Sequence, residues 1–241
     1  MAQKEIFYKS AKFEINYEIL NIKNEKNIIF LHGWGSNKDV MKVAFKDCLK
    51  NFRHIYLDMP GFGKSLNTQI LTTKDYANIV ELFLEKLNLK KDIIIGHSFG
   101  GKVATLLEPK LLVLLSSAGI IEKKPLKVRT KIFLYKLLKP FGSKKLREFF
   151  VSRDVKKMDE NMYETFKNVV DEDFSSIFAN YKKDALIFWG RDDRATSLDS
   201  GKKIASLIKK SRFFEFDGDH YFFLKNAKSI SQKIEEEYEN I

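Results

Sequence analysis

The stretch Ile93-Ile94-Ile95-Gly96-His97-Ser98-Phe99-Gly100-Gly101 constrains this chain more than any other. Three β-branched apolar residues read as a buried strand, and a helix is expected from Lys102 to Leu107. Gly-x-Ser-x-Gly lies between them. A strand that turns sharply into a helix lifts a serine hydroxyl to the tip of a strained bend, where a substrate can reach it. Glycine is expected at 96 and 100 because a side chain there would strike the neighbouring backbone. The five-residue pattern by itself arises by chance in many proteins. Its place between strand and helix gives it weight.

The flanking sequence predicts the sheet in which such a strand would sit. Ile6 to Tyr8 and Lys12 to Leu20 alternate apolar and polar residues, as an antiparallel hairpin with one buried face does. Asn27 to Leu31 is a buried strand closed by His32-Gly33-Trp34-Gly35, and a helix is expected from about Asn37 to Leu49. A strand at His54 to Leu57 leads into the loop Asp58-Met59-Pro60-Gly61-Phe62-Gly63-Lys64-Ser65. Thr73 is expected to cap an amphipathic helix reaching about Leu87, with Tyr76, Ile79, Val80 and Phe83 on one face. Leu111 to Leu115 is a further apolar strand. From 121 to 183 the pattern changes: no convincing strand occurs, and about four short helices are expected. One is entered through Pro125 and stopped by Pro140, one is capped by Ser143, one by Asp159, and one spans Asp173 to Tyr181. Strands resume at Ala185 to Trp189 and Phe213 to Phe216, with helices from Ser197 to Ile208 and from Tyr221 to the end. Buried strands alternating with helices imply an α/β fold: a mostly parallel central sheet with helices on both faces and the hairpin as its antiparallel edge. Residues 1–120 and 184–241 then form the core, and 121–183 an insertion.

A serine hydroxyl needs a base within hydrogen-bond reach, and the base needs an anion to hold it. Of the histidines at 32, 54, 97 and 220, only His220 follows the serine, in the turn Phe216-Asp217-Gly218-Asp219-His220. That order suits a serine presented on a strand–turn–helix. The acid should close a strand between the two. Ala185 to Trp189 leads into Gly190-Arg191-Asp192-Asp193-Arg194, where Asp193 is preferred and Asp192 remains the rival, or else a surface partner of Arg191 or Arg194. Acyl transfer also needs donors for the oxyanion, and losing one typically costs about 100- to 1000-fold in rate. The amides of Phe99, at a helix N-terminus, and of Trp34, in the loop after an early strand, are the candidates.

Composition excludes several other classes. Net charge is +11, but lysine is spread through almost every segment, with no basic arm or nucleic-acid-binding motif. The local exception runs from Ile121 to Lys157, where 13 Lys or Arg face three acids. Gly63-Lys64-Ser65 echoes the end of a phosphate-binding loop, but that motif needs glycine where Asp58 stands. Asp58 is read instead as a brace for its own loop. Scattered histidines and the lack of Cys-x-x-Cys give no support for a metal site. The single cysteine, Cys48, suits a reducing cytoplasm and is read as a small buried filler on a helix. No signal peptide or membrane-span pattern is seen in the sequence.

Taken together, His32-Gly33-Trp34-Gly35, Asp58 to Ser65, Gly96 to Gly101, Trp189 to Asp193 and Gly218-Asp219-His220 closely resemble the α/β-hydrolase superfamily, in its order and spacing. The resemblance implies the α/β-hydrolase fold, with 121–183 as an inserted helical cap that roofs the site and selects the substrate. One departure is the short Gly101 to Leu111 segment, which trims the helix after the nucleophile. Ser98 argues against the haloalkane dehalogenases and epoxide hydrolases of the superfamily, which carry aspartate there. The expectation is a cytoplasmic serine hydrolase that needs no cofactor and cleaves an ester or thioester. Ser98 is the nucleophile, His220 the base and Asp193 its orienting acid. The expected substrate is a small-molecule or acyl-carrier-bound ester, and the basic cap suggests the carrier-bound one, as in the superfamily members that cleave acyl-carrier-protein methyl esters in biotin synthesis. Cap residues Leu126, Ile132, Phe133, Leu137, Phe149, Phe150, Phe166 and Phe178 are candidates to line an acyl pocket. Two alternatives stay open: a carbon–carbon bond hydrolase with the same triad, and a ligand-binding signalling protein on this fold.

Overall fold

The computed structural model describes residues 2–122 and 158–241. Strands β1 (Ala2–Tyr8), β2 (Ala11–Leu20), β3 (Asn27–Leu31), β4 (Arg53–Leu57), β5 (Ile93–His97), β6 (Leu111–Leu115), β7 (Asp184–Gly190) and β8 (Ser211–Phe216) form one sheet. Their spatial order is β1-β2-β4-β3-β5-β6-β7-β8. All pairings from β4 across to β8 are parallel, while β1 with β2 and β2 with β4 are antiparallel. The hairpin is thus the antiparallel margin of a parallel sheet. Every residue of β3, β5 and β6 is buried, as unbroken apolar strands require when both faces are covered.

Alternate residues feed two separate cores. Ile93 and Ile95 face helices α1 (Lys38–Phe45) and α7 (Phe223–Glu239), packing with Met41, Phe45, Phe223 and Ile230. Ile94 faces the opposite layer, where α2 (Thr73–Lys86), α3 (Phe99–Leu107) and α6 (Leu198–Leu207) contribute Tyr76, Phe83, Val103 and Ile204. The two-residue period of the strand makes this division.

Several helix ends differ from expectation for local reasons. The cap of α2 is Thr72: its hydroxyl accepts from the Asp75 amide, and the Asp75 carboxylate accepts the Thr72 amide. Thr73 instead donates its hydroxyl to Glu172. Helix α1 stops at Phe45, and Leu49, with φ +52°, has a left-handed backbone no helix can continue through. Cys48 therefore lies in a half-exposed turn, not in a buried helical position. Helix α3 starts at Phe99, immediately after Ser98, and ends at Glu108, whose φ of +47° precedes Pro109.

Between β6 and β7 the described residues hold α4 (Glu160–Val170) and α5 (Ser175–Asn180), with no strand among residues 158–183. Asp159 occupies the N-cap position of α4 without a side-chain capping bond. This segment is anchored to the loop after β4: Leu71 donates its amide to Thr165 Oγ1, and Asn161 donates to the Asn67 carbonyl. Phe178 is fully buried in the core, and Phe166 packs on Trp34. The helices expected through Pro125 and Ser143, and the pocket candidates from Leu126 to Phe150, lie outside the described residues. Among those described, no helix is long and apolar enough to cross a membrane.

Candidate active site

Strand β5 delivers Ser98 into a tight bend with φ +51° and ψ −114°. Such a conformation costs on the order of 1–3 kcal/mol in a non-glycine residue. It is held by Ser98 N–H donating to the Leu115 carbonyl and by the Ala118 amide donating to the Ser98 carbonyl, each at 3.0 Å. The flanking glycines are dictated by close approach. A Cβ on Gly96 would lie 2.4 Å from the Gly100 carbonyl oxygen, and one on Gly100 would lie 2.4 Å from that of Leu31. The end of β3, and with it the His32-Gly33-Trp34 loop, therefore presses directly against the start of α3.

Two other strand ends bring Asp193 and His220 together. Asp193 follows β7 and is 7% exposed, whereas Asp192 beside it is exposed. Oδ1 of Asp193 accepts the amides of Ala195 and Thr196 at 2.8 and 3.0 Å, so the aspartate folds its own loop beneath it. Oδ2 accepts His220 Nδ1–H at 2.8 Å, with the Thr196 hydroxyl 3.0 Å away. Burial alone would raise the Asp193 carboxyl, but the His220 imidazole and the Thr196 amide override it and hold the pKa at about 2. The carboxylate thus stays ionised and fixes the ring. His220 Nε2 makes no hydrogen bond to a described residue, and neither does the Ser98 hydroxyl. Nothing yet bonds the one to the other.

His97 positions the histidine end of the site. Its Nε2–H donates to the His220 carbonyl at 3.0 Å, and the two rings lie 4.6 Å apart between centroids. Burial, with His220 nearby, lowers its pKa to about 3, so it is neutral at physiological pH. His97, the last residue of β5, and Thr196 are not among the site residues the sequence suggests. The Asp-x-x-Thr spacing of an aspartate that gathers its own following amides is the signal that marks Thr196.

The amides of Trp34 and Phe99 flank the serine, and neither donates to a described residue. For Phe99 this is the geometry of a helix's first turn, where amides have no carbonyl to meet. Both residues line a cleft of about 420 Å³ together with Ser98, Lys102, Ile120, Phe166, Val169, Val170, Glu172 and Thr196. Among the described residues, no group of three or more His, Cys, Asp or Glu is placed to hold a metal ion. Asp58 lies apart from this cleft. It is fully buried and accepts from Lys38 N and Nζ, both at 2.8 Å, and from Lys64 N at 3.0 Å. Arg191 pairs with Glu215 and Asp217, not with Asp192.

A family model described as alpha/beta hydrolase fold matches residues 26–110, from the strand before the Trp34 loop through the serine turn and α3. That segment matches the α/β-hydrolase family, and the chain as a whole has the α/β-hydrolase fold. It is 26% identical to the AB hydrolase superfamily protein YisY of Bacillus subtilis (strain 168), over 94% of this chain and 97% of that protein. It is 36% identical to the pimeloyl-[acyl-carrier protein] methyl ester esterase of Pseudoalteromonas atlantica, over 40% of this chain and 39% of that one. Among solved structures, a thermophilic esterase from Thermogutta terrifontis superposes with a TM-score of 0.75 at 16% identity, covering 100% of this chain and 99% of that one. Ser98, Asp193 and His220 follow the C-terminal ends of β5, β7 and β8.

Proposed function

We propose that this α/β-hydrolase cleaves a carboxylic ester or thioester through an acyl-enzyme on Ser98. The Asp193–His220 hydrogen bond carries the reading. It occupies Nδ1 and leaves Nε2 without a hydrogen bond to a described residue, and the hydroxyl of the strained Ser98 has none either. His220 Nε2 takes the Ser98 proton as Oγ attacks the carbonyl carbon. The resulting oxyanion is received by the amides of Trp34 and Phe99. The imidazolium, stabilised by ionised Asp193, then protonates the departing alcohol or thiol. A water activated by the same nitrogen releases the acid. The Ser98–His220 contact this requires, about 3 Å, is one that free enzymes often form only with substrate bound.

The test is a panel of p-nitrophenyl esters with a fluorophosphonate probe. Turnover and labelling are expected in the wild type, with loss of labelling and a fall in kcat of about 10⁶-fold in Ser98→Ala. Labelling that survives the substitution would reject Ser98 as the nucleophile.

A finer reading is a carrier-bound acyl ester. It is supported by the partial match to pimeloyl-[acyl-carrier protein] methyl ester esterases and by the 13 Lys or Arg between Ile121 and Lys157, since acyl carrier proteins are acidic. Cleavage of a carrier-bound ester should then weaken with added salt and with Lys-to-Glu changes at 123, 124 and 127, as screened charge attraction does. Equal rates on carrier-bound and free esters at all salt concentrations would remove this reading and leave the esterase.

A further inference from the structure

Lys102 is an unusual residue to find in the wall of an acyl cleft. It lies one helical turn after Ser98 on α3 and is 1% exposed. Its ammonium donates to the Val169 carbonyl, in the last turn of α4, and to Glu172 Oε2 at 3.1 Å. It also sits over the rings of Phe174 and Phe99, at 5.0 and 5.8 Å. Glu172, in turn, accepts the Thr73 hydroxyl from the first turn of α2. A single ion pair, its lysine buried and its glutamate part-exposed, thus ties α2, α3 and the segment after α4 together. Burial pulls the lysine's pKa down, with Glu172 opposing that pull.

Glu122, Asp171 and Arg194 add further charges to the lining of the described cleft, while its wall has an apolar side formed by Trp34, Phe99, Ile120, Phe166, Val169 and Val170. An alkyl chain gains by lying against those residues. Against the Lys102–Glu172 pair it gains little, because the buried ammonium is stable there only while it keeps its bonds to Glu172 and the Val169 carbonyl. Side chains on a helix lean toward its N-terminus, so the lysine tilts back toward the turn that carries Ser98. One helical turn is about 5.4 Å, the length of about four chain carbons.

We propose that Lys102, paired with Glu172, is a specificity-determining residue: it forms a polar floor that limits the acyl group attached to Ser98 to short chains. This inference rests on the esterase reading above and names the substrate class for that same site. Exchanging the pair for uncharged groups turns the floor into apolar surface and admits longer chains.

The experiment measures kcat/KM on p-nitrophenyl esters from two to ten acyl carbons for the wild type, Lys102→Met and the double variant Lys102→Met with Glu172→Gln. The wild type is expected to peak at two to four carbons, with octanoate at least tenfold below butyrate. Each methylene newly buried is worth about fourfold, so both variants should raise the octanoate-to-butyrate ratio at least tenfold. A lysine that only holds the fold together would lower all chain lengths alike and leave the ratio unmoved, which overturns the proposal. A wild-type optimum at eight carbons or more overturns it even if neither variant folds. So does a wild-type preference for acyl groups ending in a carboxylate that disappears in Lys102→Met, since the ammonium would then be an anion seat. A wild type that is labelled by the fluorophosphonate and turns over esters, but with an unaltered chain-length ratio in the variants, sinks the floor alone. Absence of both labelling and turnover sinks the esterase reading with it.

Discussion

Two aspartates stand at the same edge of the sheet, one after β4 and one after β7, and both are buried. Asp58 receives three donors, all from Lys38 and Lys64, and so pins the start of α1 to the loop after β4. Asp193 receives backbone amides on one oxygen and an imidazole on the other. The carboxylates hardly differ; their partners do. Lys38 is 1% exposed and has its charge matched where it lies. The His220 side chain is 17% exposed and keeps a ring nitrogen without a hydrogen-bond partner among the described residues. Burial of a carboxylate is therefore a poor sign of chemistry. A partner with an unused atom beside a cleft is a better one.

Three experiments can break or sharpen this contrast. The largest effect is expected at the β7 corner, where Asp193→Asn should lower kcat on an activated ester by about 10⁴-fold, because the amide no longer fixes the imidazole or stabilises its cation. Its urea midpoint should move less than that of Asp58→Asn. At the β4 corner the signs reverse. Asp58→Asn leaves Lys38 buried without its counter-charge and should reduce unfolding free energy by about 3–5 kcal/mol, while the protein that remains folded keeps kcat within about tenfold. If folded Asp58→Asn were inactive, the two corners would not divide structure from chemistry as argued.

The smallest effect is shared by both corners, because each contains a histidine kept neutral by burial. His32 accepts the Met59 amide and is held at about 4, and His97 at about 3. Both values lie below the roughly 6.5 of an unfolded chain, so the unfolded state takes up protons first. Stability is then complete above about pH 6.5 and is lost as pH falls toward the folded values, by about 2 kcal/mol per histidine at pH 5. Urea titrations at pH 7.5 and 5.0 measure this directly. Equal stability at the two values would mean that the folded protein carries these imidazoles charged.

The fold was legible because its signals are local. Three isoleucines before Gly96, the alternation of Phe13, Ile15 and Tyr17, and the break in pattern at Ile121 each depend on neighbours in sequence. The site was legible in outline and less so in detail. Which of Asp192 and Asp193 turns inward is set by bonds to a distant strand end, where Arg191 N–H meets the Phe216 carbonyl and Asp192 N–H that of Gly218. Lys102 gave no sign at all. A lysine on a helix is ordinarily solvated, and this one is buried only because the last turn of α4, more than sixty residues later, is laid across it. Thr72 and Thr73 show the same limit on a smaller scale: adjacent hydroxyls compete for one cap, and the reach of Asp75 decides between them.

The chain has two tryptophans, and both stand at this site. Trp34 lines the cleft, and Trp189, wholly enclosed at the end of β7, gives its indole N–H to the Thr196 carbonyl at 3.0 Å. Intrinsic tryptophan emission from this protein therefore comes from two reporters, one meeting whatever enters and one sensing the peptide that follows Asp193. Acylation could be followed in a stopped-flow instrument without attaching a dye.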